Sequence, residues 1–84
     1  MGRTNWEAVE AFLNGQAEQG RSLTSTGRQI FAWGELIAWW KGDMVTVLEG
    51  THEDTWTMVK LKRQVYQGAV EKGLTVGTSF EKPS

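Results

Sequence analysis

Trp39 and Trp40 stand side by side in the run Leu36-Ile37-Ala38-Trp39-Trp40. Successive side chains of an extended chain point to opposite faces, so a strand through this run sends one indole to each side of its sheet. Leu36, Ala38 and Trp40 share one face, and Ile37 and Trp39 share the other. Both faces are apolar, which places the strand centrally, covered on one side by helix and on the other by further protein or a partner. Register leaves open which indole faces out, because a slip of one residue exchanges the faces. Lys41-Gly42-Asp43 then turns the chain into Met44–Leu48, a second apolar run of strand length, and the pair reads as a β-hairpin.

The rest of an 84-residue chain has little material with which to cover such a strand. A domain this small buries only ~60–65% of its unfolded surface and needs a supplement to its core. With no cysteine, disulfides, thiolate metal sites and cysteine nucleophiles are excluded. The single histidine, His52, offers no metal-ligand cluster. Five tryptophans remain as the supplement, each able to bury ~150–250 Å2 of surface, in the core or at an interface. A net charge of −1 gives no global basic field to attract nucleic acid or acidic membranes. The apolar runs fall short of the ~18–20 residues of a membrane span, and no signal-peptide pattern opens the chain. A soluble, cytoplasmic single domain over residues 1–84, with no membrane partner, is the expectation.

Thr4 and Glu7 fit a capping box, and Trp6, Val9, Phe12 and Leu13 then share one face of a helix over about residues 5–14. Asn14-Gly15 stops it. Gln16–Arg21 reads as a polar loop, and Ser22–Ser25 as a possible short strand before a turn at Thr26-Gly27. Gly34 interrupts the apolar pattern as a kink between strands over about 28–33 and 35–40. Gly50–Asp54 forms a polar turn. Thr57 suits the N-cap of a second helix over about 58–72, whose stripe is Met58, Leu61, Val65 and Ala69 flanked by Val59, Tyr66 and Val70. Lys62 falls inside this apolar arc and has to extend its ammonium outward. Residues 74–84 form an edge strand or a loose arm. The expected architecture is α+β: an antiparallel sheet of three or four strands with an N-terminal and a C-terminal helix on one face, in the order α-β-β-β-α.

Four pieces of this pattern occur together elsewhere: Phe12-Leu13-Asn14-Gly15, Leu23-Thr24-Ser25-Thr26-Gly27, Phe31-Ala32-Trp33-Gly34-Glu35-Leu36-Ile37-Ala38 and Thr55-Trp56-Thr57. Over about residues 6–66 the chain resembles a group of small uncharacterised proteins encoded mainly by bacterial viruses, chiefly through Trp33-Gly34-x-x-Ile37-Ala38. It departs where related sequences continue with a second threonine and a histidine, since Met58 and Leu61 stand here. The resemblance implies a setting, a viral accessory protein in the host cytoplasm, and no mechanism.

No catalytic constellation emerges. His52-Glu53-Asp54 is a consecutive run in a turn, whereas a catalytic zinc needs three ligands converging from rigid elements. The carboxylate pairs Glu7/Glu10 and Glu49/Glu53 show no sign of a cleft, and no serine or threonine has a histidine base at a meaningful spacing. Gly42-Asp43 precedes a strand, so it is no phosphate loop. Neither catalysis nor a cofactor or metal is expected.

Two binding readings remain. In the first, aromatic surface that a small sheet cannot hide docks a host protein, a second copy in a homodimer, or both, through Trp33, Ile37, Trp39, Trp40 and Trp56. In the second, the last helix binds nucleic acid. There Lys60, Lys62, Arg63 and Lys72 outweigh Glu71, Arg28 and Lys41 extend the patch, and exposed tryptophans stack on bases.

Overall fold

The computed structural model describes residues 5–49 and 56–82. Within them the chain runs α1 (Asn5–Leu13), β1 (Ala17–Gln19), β2 (Leu23–Thr26), β3 (Gln29–Ala32), β4 (Glu35–Lys41), β5 (Met44–Leu48), α2 (Trp56–Glu71) and β6 (Thr75–Ser79). One six-stranded sheet holds the strands in sequence order. β1 to β5 form an antiparallel meander, and β6 joins β5 in parallel. The fold is α+β. The expected antiparallel sheet of three or four strands is overturned, for the sheet is mixed and has six.

Three readings account for the difference. Ala17-Glu18-Gln19 lacks any apolar alternation, yet pairs with Thr24–Thr26 as an edge strand where the sequence reads as loop. Trp33-Gly34 is no kink within an apolar run but the two-residue turn between antiparallel partners β3 and β4. Finally, β6 runs parallel to β5 because α2 carries the chain back along the sheet between them, which a parallel connection requires.

α1 and α2 end alike. Gln16 N donates to Ala11 O (2.7 Å) and Gly15 N to Phe12 O (3.0 Å). In α2, Leu74 N donates to Ala69 O (2.9 Å) and Gly73 N to Val70 O (3.0 Å). Each is a Schellman motif, whose left-handed residue is a glycine, at φ 72° and 74°. At the other end of α1, the capping box at Thr4 falls outside the described residues. Asn5 instead ties the helix to the sheet, its Oδ1 accepting from Ser22 N (2.7 Å) and Leu23 N (3.2 Å). α2 begins at Trp56, so Thr57 lies inside the helix rather than capping it. The turn at Gly50–Asp54 is outside the described residues.

The alternation of β4 is broken. Phe31 pairs with Leu36 but Ile30 with Ala38, leaving Ile37 as the extra residue of a β-bulge. Ile37 and Ala38 are consequently both fully buried in one core with Phe12, Leu23, Ile30, Val45 and Val65. Trp40 points to the same side as Ala38, toward the helices. Leu36 and Trp39 go to the opposite face, Trp39 between its register partners Gln29 and Thr46. The sequence puts Ile37 beside Trp39; the bulge separates them.

Both helices cover the core side of the sheet, and they meet at Gly68. A Cβ there would lie 2.9 Å from Leu13 Cδ1 and 3.4 Å from Val9 Cγ1, with the Trp6 ring next at 3.5 Å. Its absence lets the helices approach, which explains a glycine in mid-helix despite its cost of ~1 kcal/mol against alanine. Outside this contact, Lys72 Nζ pairs with Glu10 Oε1 at 3.7 Å.

Candidate functional site

The residues expected to form a docking surface separate into two sets. Ile37 is fully buried and Trp39 is 6% exposed. Trp40 is partly buried against the core. Its ring lies 6.1 Å from that of Phe12, tilted by 44°, and its Nε1 donates to Phe12 O at 2.8 Å. That carbonyl belongs to the last turn of α1 and also accepts from Gly15 N at 3.0 Å. Trp40 therefore supplies this carbonyl with a second hydrogen bond, one that ties the end of α1 to the central hairpin. Ile37 and Trp39 are thus buried parts of the chain, and Trp40 is held half-buried against α1.

Trp33 and Trp56 are 58% and 68% exposed. Trp33 sits in the turn between β3 and β4 at φ 49°, followed by Gly34 at φ 82°. Two positive φ values define a type I′ hairpin turn, the setting in which Asn-Gly is favoured. Tryptophan at its first position is a conformational outlier, with a cost on the order of 1–3 kcal/mol. The turn between β4 and β5 obeys the rule: Gly42 is its first central residue, at φ 64°, and Asp43 stays at negative φ.

Topology gathers the exposed aromatics. The β3–β4 turn, the end of β5, the start of α2 and the end of β6 all lie at one end of the sheet. Trp33 N donates to Ser22 O (3.0 Å) and Glu49 N to Ser79 O (2.8 Å), tying this end together. Phe80, 76% exposed, follows directly on β6. From the β3–β4 turn to β6 is about two and a half strand spacings, ~12 Å. Trp33, Trp56 and Phe80 thus form an aromatic end of the molecule, as the turn positions and the parallel return of β6 dictate. Phe80 is an aromatic that so small a domain struggles to hide, but the sequence does not assign it to the interface, because only the parallel pairing brings the C-terminal segment to this end. Trp6 is 42% exposed but lies along α2 beside Gly68.

Beside the aromatic end runs a groove of about 550 Å3 between α2 and β6, lined by Val59, Arg63, Tyr66, Thr78 and Phe80 among others. The basic helix is less of a patch than its sequence implies. Lys60 and Arg63 are exposed, but Lys62 is only 8% exposed, its stem packed in the wall of this groove. Among the described residues, no three His, Asp or Glu side chains come together as a metal site. No helix of the described residues is long and apolar enough to cross a membrane. His52, Glu53 and Asp54 lie outside the described residues.

Comparison with protein-family models, curated proteins and solved structures returned no match.

Proposed function

We propose that the chain is a non-enzymatic protein-interaction module, a viral accessory protein that docks and modulates a host protein in the host cytoplasm. The observation behind this reading is Trp33. An indole that is more than half exposed, held at positive φ where asparagine would be relaxed, is retained at a cost to the fold. Exposed tryptophan is also among the residues that most often anchor protein interfaces. Trp56 and Phe80 at the same end supply further apolar surface. The viral setting is supported by the Trp33-Gly34-x-x-Ile37-Ala38 pattern alone.

The test pairs stability with capture. Trp33→Asn creates an Asn-Gly turn and is expected to raise Tm while abolishing retention of a partner from bacterial lysate. A variant that is less stable, or that captures the same partner equally well, removes the reading.

Nucleic-acid binding by Lys60, Lys62 and Arg63 is the alternative, and it rests on two exposed cations, since Lys62 is largely covered. Titration with single-stranded and duplex DNA separates the two readings. Two phosphate contacts give a salt slope near −2 at most, with binding at low salt no tighter than about millimolar. A steeper slope and tighter binding would promote the nucleic-acid reading.

A further inference from the structure

β6 ends the sheet, and its own residues carry no guard against pairing. Thr75-Val76-Gly77-Thr78-Ser79 contains neither charge nor proline, the devices by which edge strands resist pairing. The opposite edge, β1, is only three residues long and has Glu18 at its centre. Along α2, Val59, Arg63, Tyr66 and Val70 follow one another at spacings of four, three and four, and so form one stripe. Tyr66 is 45% and Val70 54% exposed. Val59, Arg63 and Tyr66 share the groove with Thr78 and Phe80, so this stripe overhangs β6. An open strand edge and a largely apolar helix flank therefore face the same way.

We propose that this side is the interface of a symmetric homodimer, in which β6 pairs antiparallel with β6 of a second copy and the two α2 helices pack across the two-fold axis. The chain passes from α2 to β6 through Leu74, whose N bonds Ala69 O. From there β6 climbs ~3.3 Å per residue while α2 descends ~1.5 Å per residue, which sets Gly77 level with about Tyr66. A two-fold axis at Gly77 brings Tyr66 against Tyr66 of the second copy. A foreign strand would satisfy the same ladder, but only a second copy answers both strand and stripe with one set of residues. A face as long as α2, about 24 Å, and two layers deep buries on the order of 500–600 Å2 per copy, the lower bound for a specific contact. A micromolar dimer is the expectation.

Sedimentation equilibrium from about 1 μM to 1 mM measures it. Tyr66→Glu and Tyr66→Lys, each placing like charges at the axis, weaken association at least tenfold or so. An equal mixture of the two variants restores it. Thr78→Arg, at an exposed position of the edge strand, weakens it as well, and stands as the test should either Tyr66 variant fail to fold by circular dichroism. A chain that stays monomeric at about 1 mM overturns the proposal. So does a dimer indifferent to the Tyr66 and Thr78 variants. Trp33→Asn leaves this dimer intact, so failure here and failure at the aromatic end are told apart.

Discussion

The tryptophans of the central hairpin and those at the aromatic end differ in what surrounds them and in what they cost. Trp39 is closed over on the face away from the helices, and Trp40 is wedged against Phe12 with its N–H spent on a helix carbonyl. Trp33 and Trp56 stand more than half in water, and Trp33 does so from a backbone conformation that opposes it. One residue type thus serves two ends. Where an indole can bury its ring and satisfy its N–H it stabilises the domain. Where the ring stays in water, stability does not explain its presence, and this is the ground of the docking role proposed above.

Substitutions sharpen the contrast, since stability and binding should respond in opposite order. Trp40→Ala is expected to cost the most, about 4–5 kcal/mol in urea unfolding, through the lost ring and the lost hydrogen bond to Phe12 O. Trp40→Phe keeps most of the ring and should lose only about 1 kcal/mol, which isolates the hydrogen bond. Trp39→Ala follows at about 3–4 kcal/mol, since it loses a buried ring alone. A Trp39→Ala variant as stable as the parent would mean that the indole is covered only loosely, and the division drawn here would collapse.

Trp33→Asn reverses the sign, with a gain of about 0.5–1 kcal/mol, or about 2–8 °C in Tm. Smallest is Trp56→Ala, within about 0.5 kcal/mol on unfolding, with its effect appearing only in partner capture. Were Trp56→Ala to unfold the domain, the aromatic end would have to be read as core.

How much of this was legible depends on the element. The apolar hairpin from Glu35 to Leu48 was readable because two strand-length runs flank a glycine turn. The stripe of α2 was readable from its spacing, with Met58, Leu61, Val65 and Ala69 buried. β1 was not, since Glu18 and Gln19 give an edge strand no apolar face to announce it. Trp33-Gly34 was hidden for the opposite reason: the bulky residue at its first position masks a turn normally signalled by asparagine. For the site, Trp33 and Trp56 were singled out together with Ile37, Trp39 and Trp40, and side-chain type alone could not separate the two groups.

From its order of residues the chain determined an α+β domain with two amphipathic helices, a hairpin of indoles, and no cysteine or histidine cluster on which to build a thiolate or metal site. Tertiary structure decided the faces. A single extra residue at Ile37 turns two neighbouring side chains into one core, and a parallel return after α2 brings Phe80 to the end that Trp33 and Trp56 occupy. Local preference fixes which segments extend or coil. Which side of a strand meets water depends on register and on long-range pairing, and these are settled only when the whole sheet assembles.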